Sequence, residues 1–137
     1  MKKKILMMCL FCINCLIMIF PWFKGINNSQ AIYGTIMLEN PIAVTCLLFC
    51  FIGIWMDYKY GQVIETIGWF GVIVMQIYEF LTWHIRIVGG NINIQLSTSL
   101  TYSHFYLAVF CAILSFVIYR ISIYYFQKNE NKQMVYI

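Results

Sequence analysis

Charge is scarce in this chain: Asp, Glu, Lys and Arg make up only 10% of its 137 residues, where a soluble domain carries about 25%. Hydrophobic residues make up 62%, and together the two figures exclude an ordinary soluble globular protein. There is no low-complexity tract and no glycine period, which removes disorder and collagen-like structure. The largest basic cluster is Lys2, Lys3 and Lys4, too small for a nucleic-acid interface, so no nucleic-acid partner is expected. HExxH, GxSxG and glycine-rich phosphate-loop motifs are also lacking. The chain is therefore not expected to be an enzyme, nor to carry a metal or another cofactor.

What the sequence does hold is four long apolar stretches, residues 5–23, 41–56, 64–85 and 100–126, in a chain too short to build a soluble domain from the rest. A hydrocarbon core ~30 Å thick takes about 20 apolar residues per helix. The expected fold is all-α, a polytopic four-transmembrane-helix bundle forming one integral membrane domain over residues 1–137. Lys4 and Lys24 close the first span, with Pro21 and Trp22 just inside its outer end. The second begins at Pro41, after Glu39 and Asn40, and is the shortest, so it crosses only by recruiting interfacial residues or thinning the bilayer. Trp22, Trp55, Tyr58, Tyr60, Trp83, Tyr102, Tyr124 and Tyr125 stand at span ends, where aromatic side chains anchor at the interface.

Orientation follows from the positive charges. With the N-terminus inside, Lys2, Lys3, Lys4, Lys59, Arg120, Lys128 and Lys132 are cytoplasmic, against Lys24 and Arg86 outside, and basic residues near span ends are retained on the cytoplasmic side. Both termini are expected in the cytoplasm of a cell membrane, with an inner loop at 57–63 and outer loops at 24–40 and 86–99. Lys2 to Lys4 ahead of an apolar run imitates a secretion signal, and Ser29-Gln30-Ala31 imitates its cleavage site, but the run is long and Pro21, Trp22 and Phe23 are bulky. In the second outer loop, residues 91–97 alternate polar and apolar after Gly89 and Gly90, the period of a strand. That segment and residues 31–38 could pair as a small extracytoplasmic β-ribbon, or each could lie on the lipid. At the C-terminus, Met134 to Ile137 could return to the inner surface.

Six cysteines include a formal CxxC at Cys9 and Cys12. Both fall within the first span, away from aqueous thiols, and the outer loops contain none, so packing is expected rather than redox chemistry. Acylation at Cys9 and metal binding are lesser alternatives.

The third span carries more information. Glu65, Val72, Glu79 and Arg86 are spaced by seven, with Gly68, Gln76 and Trp83 close to the same stripe, so one helix face holds nearly all its polar groups and points into the bundle. Gly68 and Gly71 on the inner half would admit a close neighbour. An ionised acid at the centre of a span costs roughly 2.5–3.5 kcal/mol on insertion scales, less near the interface. Glu79 therefore needs a partner, and Arg86, His84, Tyr102 and His104 are the candidates. Glu79, Gln76, His84, Arg86, Tyr102 and His104 form either an outward-facing pocket for a cation, proton or small polar ligand, or a structural network. Asn14 and Ser115 are ordinary interhelical hydrogen-bonding residues.

The function expected is binding or interaction: an accessory or assembly subunit, or an immunity-type factor, partnered by the lipid bilayer and by another membrane protein or a second copy. A small ion, proton or polar-ligand carrier around Glu79 is the alternative. Lys-, Ile- and Asn-rich usage points to an AT-rich bacterial genome.

Overall fold

The computed structural model describes residues 2–26, 30–56 and 59–135. Ser29 of the cleavage-like triplet, Asp57 and Tyr58 of the inner loop, and Tyr136 and Ile137 of the tail lie outside those residues. The chain is mostly helical, with one two-stranded ribbon. It runs α1 (Lys2–Ile17), β1 (Pro21–Phe23), β2 (Ile32–Tyr33), a 3-10 turn (Gly34–Glu39), α2 (Pro41–Trp55), α3 (Lys59–Val88), α4 (Ile94–Ser99) and α5 (Ser103–Val135).

The first apolar stretch is not one helix. Proline has no N–H to give to a helix, and ahead of Pro21 the helix tightens into three-residue turns, with Met18, Ile19 and Phe20 N–H groups donating to the carbonyls of Cys15, Leu16 and Ile17. The Ile17 carbonyl also accepts from the Trp22 indole at 3.3 Å, so the extended segment that follows helps to cap the helix it leaves. The second stretch starts as the sequence indicates. Pro41 occupies the first turn of α2, and the Asn40 side chain accepts from Ile42 N–H at 3.0 Å.

Two helical segments, Lys59–Ile87 and Ser103–Tyr125, are long and apolar enough to cross a membrane. At 1.5 Å per residue α1 and α2 reach only about 22–24 Å. α3 begins five residues earlier than the third apolar stretch and absorbs most of the expected inner loop; α5 likewise runs on to Val135.

α2 and α3 form a close antiparallel hairpin. A Cβ added to Gly53 would lie 2.5 Å from Glu65 Cβ and 2.7 Å from its Cα, and one added to Gly68 would lie 2.5 Å from the Cys50 backbone nitrogen. Small residues thus let the two backbones nearly touch, the contact that favours helix association where apolar burial gives no advantage. α1 packs against α5, whose buried stripe of Ala108, Ala112 and Ser115 is also small, and there the Asn14 amide donates to Ser115 Oγ at 2.9 Å.

At the far end a cap joins the helices. β1 pairs antiparallel with β2 and bridges Phe23 to Thr101, while Lys24 N–H donates to the Leu100 carbonyl at 2.6 Å and Tyr102 N–H to the Trp22 carbonyl at 2.8 Å. A ribbon is present, and its second strand, 32–33, lies within the expected 31–38, but its partner is 21–23 rather than 91–97. Residues 91–97 are not a strand. Asn93 caps a helical turn by accepting from Leu96 N–H at 3.0 Å, and Thr98 and Ser99 bond back to the carbonyls of Ile94 and Leu96; in so short a segment this local capping outweighs the alternation. The Gly89-Gly90 turn is as expected, with φ of 75° and 101°.

Two of the supposed interface anchors are core residues. Trp22 and Trp83 are fully buried with Phe23 and Phe105, where Phe23 stacks on Trp83 with centroids 5.0 Å apart and Trp22 meets Phe105 edge-on at 5.5 Å. The ribbon lays its aromatic residues over the helix ends and so withdraws them from the surface. Trp55, Tyr60, Tyr124 and Tyr125 remain exposed. Packing also divides the cysteines: all six are free thiols, Cys50 is buried, but Cys9 and Cys12 are exposed, so close packing does not account for the CxxC.

Candidate functional site

One face of α3 buries a continuous series, Glu65, Trp69, Val72, Gln76, Glu79 and Trp83, each no more than 2% exposed. Alternating steps of three and four residues keep a single helix stripe aimed at its neighbours. α3 can therefore be long and still hold two acids away from its outer surface.

At the cap end, Arg86 folds back two turns and donates through Nη2 to Glu79 Oε1 at 2.6 Å, with Nη1 4.0 Å from Glu39 Oε2. The Asn40 amide approaches the same carboxylate. Glu39 closes the 3-10 turn and Asn40 caps α2, so the charge cluster ties the cap, the start of α2 and the outer part of α3 together. Arg86 remains one-third exposed while Glu79 is fully buried. The guanidinium thus brings positive charge from the rim down to a carboxylate that, among the described residues, has no other full charge to balance it.

The structure joins only part of the predicted set. Glu79 and Arg86 pair directly, and Gln76 lies one turn below Glu79 on the same stripe. His84, Tyr102 and His104 do not gather at Glu79. His84 Nε2 lies 3.3 Å from the Asn93 nitrogen and 3.4 Å from the Asn91 carbonyl oxygen, and Nδ1 lies 3.1 Å from Ser97 Oγ. His84 therefore holds α4 against α3. Tyr102 lies under the Lys24 ammonium, 5.6 Å from its ring centroid, and His104 stacks on Phe20 at 5.3 Å. The reason is geometric: His84 follows Glu79 by five residues, which turns it well off the seam, and the extended segment 21–24 draws the start of α5 toward the cap.

Glu39 and Asn40 were legible only as a helix start. Their place beside Glu79 depends on how the 3-10 turn brings α2 against α3, and no local pattern encodes that.

A second cluster lies at the opposite end of α3. Lys3 Nζ stands 3.8 Å from Glu65 Oε2 and 5.2 Å from the centroid of the Tyr119 ring, while the Tyr119 hydroxyl donates to the Gln62 carbonyl at 2.6 Å and lies 3.2 Å from Thr66 Oγ1. Both buried acids of the seam thus meet a base. The two are 14 residues apart, roughly 21 Å along the axis.

Several buried polar atoms on the seam have no hydrogen-bond partner, among them Gln76 Oε1, Glu79 Oε2 and Trp83 Nε1. Two acceptors and one donor on successive turns are a set that a proton, a small cation or a water molecule could satisfy. Among the described residues, no three His, Cys, Asp or Glu side chains converge so as to hold a metal ion. No family model, curated protein or solved structure matches this chain.

Proposed function

We propose that this is a four-pass integral membrane protein of a cell membrane, both termini cytoplasmic, that acts by binding a membrane partner or a second copy of itself rather than by catalysis. The observation that carries the reading is the closure of the seam: Glu79, fully buried, is taken up by the chain's own Arg86 at 2.6 Å, and Glu65 by its own Lys3. Charges committed to each other within one chain neutralise the buried acids, with Lys3 also joining α1 to α3, and leave the outer surfaces for recognition. Those surfaces are apolar along the helices, with Phe70, Phe110 and Leu48 exposed, as lipid or another transmembrane helix requires. The gathering of the α1 end, the ribbon and the α5 start at one end, with Lys3, Lys4 and Lys59 at the other, supports four antiparallel crossings with the lysine-rich end inside. α1 and α2, short for a full crossing, would draw the bilayer in or lean on the cap.

The second reading, a proton or cation carrier, is favoured by one observation, the unpartnered Gln76 Oε1 and Glu79 Oε2. Reconstitution into liposomes separates the two. Under the binding reading, wild-type protein dissipates neither a proton nor a sodium gradient beyond empty vesicles, and cross-linking in cells captures a defined complex. A gradient collapse that Glu79→Gln abolishes would instead establish the carrier.

A further inference from the structure

The end of the bundle that carries Glu65 holds a feature that the seam does not use. Between α3 and α5 lies a cavity of about 430 Å³ lined by Lys59, Gln62 and Thr66 from successive turns of α3, by Arg120 from α5, and by the apolar Ile67 and Ile123. Lys3 is matched by Glu65 and Arg86 by Glu79, but no described carboxylate pairs with Lys59 or Arg120. Tyr119, next to Arg120, bonds to the Gln62 carbonyl, which sets this part of α5 at the level of Gln62, and Lys59 stands one turn nearer the end of the helix. Among the described residues, then, two cations without a paired carboxylate flank a concave space whose remaining wall is largely apolar.

From this geometry we infer a binding site for the phosphate-bearing headgroup of an anionic phospholipid, in the leaflet that faces the Lys59 end of the bundle. The charges suit a phosphodiester. A soluble anion would use only that half of the site, whereas the lipid also uses the other half: beyond Ile67 the same side of α3 carries the exposed Phe70, whose ring lies 6.5 Å from that of Phe116 on α5, and farther along a second apolar groove is lined by Ile77, Phe110 and Ile113. An acyl chain descending from the headgroup would follow α3 and α5 over that path. Basic pockets between transmembrane helices recognise anionic headgroups in this way. The inference rests on the membrane reading proposed above, and places the lipid in the cytoplasmic leaflet if that orientation holds.

Native mass spectrometry of the full chain, extracted in mild detergent and titrated in separate arms with phosphatidylglycerol, phosphatidylcholine and inorganic phosphate, tests it. Wild-type protein is expected to retain phosphatidylglycerol over phosphatidylcholine and to release little of it to phosphate. Each charge removed should weaken retention roughly fivefold, so Lys59→Gln with Arg120→Gln together should weaken it roughly 25-fold. The charge-keeping pair Lys59→Arg and Arg120→Lys should hold the lipid, and Lys24→Gln at the opposite end should change nothing. Equal retention of the two lipids, displacement of the lipid by phosphate alone, or an undiminished double variant would overturn the site. Recovery of the chain in the soluble fraction without detergent would instead overturn the membrane reading. A membrane-extracted protein with no anionic preference overturns the lipid site alone.

Discussion

Removing Arg86 should hurt far more than neutralising Glu79, although the two form one ion pair. Arg86→Gln leaves the Glu79 carboxylate fully buried with its closest donor gone. Stripping one partner from a buried pair costs about 3–5 kcal/mol. Arg86 is one-third exposed, so water already screens part of the interaction, and an expected loss of about 1.5–3 kcal/mol follows. Glu79→Gln leaves the opposite remnant: a guanidinium on a long stem that can turn to the rim, where Glu39 lies 4.0 Å away and is itself largely exposed. The cost there should be about 0.5–1 kcal/mol. The double variant Glu79→Gln with Arg86→Gln should recover part of the Arg86 loss, since no charge is then left unmatched inside. Denaturant titration in mixed micelles, followed by tryptophan fluorescence, measures all three, because buried Trp83 lies one turn from Glu79 on the seam. If Glu79→Gln proves the more costly single change, or if the two losses simply add, the pair does not balance a buried acid and the reasoning fails.

Three further outcomes follow from the packing. Gly53→Ala should destabilise the chain by about 1–3 kcal/mol in the same titration, because its Cβ would meet the Glu65 backbone rather than a movable side chain; a neutral result would mean that α2 and α3 are not in close contact. His84→Ala should raise hydrogen exchange across residues 94–99 while leaving α3 protected, since the ring is bonded to Ser97 Oγ and Asn93 N–H; unchanged exchange would show that α4 is held otherwise. Cys9→Ser and Cys12→Ser should each cost less than about 0.5 kcal/mol at their exposed positions, whereas Cys50→Leu should cost about 1–3 kcal/mol against Gly68. A larger loss at Cys9 or Cys12 would revive a specific role for that pair.

The seam of α3 was legible because its signal is periodic: seven-residue spacing of Glu65, Val72, Glu79 and Arg86 fixes a helix face regardless of what packs against it, and Arg86 reaches Glu79 along that same helix. The cap was not. Whether residues 18–23 continue a helix or turn into a strand depends on Pro21 together with the indole of Trp22 finding the Ile17 carbonyl, a contact between residues whose apolar character reads equally well as membrane span. Residues 91–97 misled for the opposite reason, since a genuine alternation was overruled by Asn93, Thr98 and Ser99 bonding to their own backbone. Lys3 beside Glu65 and Glu39 beside Arg86 are long-range pairs, set by how four helices and a turn assemble, and a single sequence holds no local trace of them.

The number of crossings can be read directly from which loops share a side. In a cysteine-free background, single cysteines at Tyr33, Tyr60 and Ser99, all at exposed positions, are labelled with a membrane-impermeant maleimide in intact cells and again after permeabilisation. Four crossings with the lysine-rich end inside predict that Tyr33→Cys and Ser99→Cys react in intact cells, while Tyr60→Cys reacts only once the membrane is opened. If α3 and α5 alone cross, Tyr33→Cys and Tyr60→Cys must behave alike and opposite to Ser99→Cys, and that pattern would contradict the account.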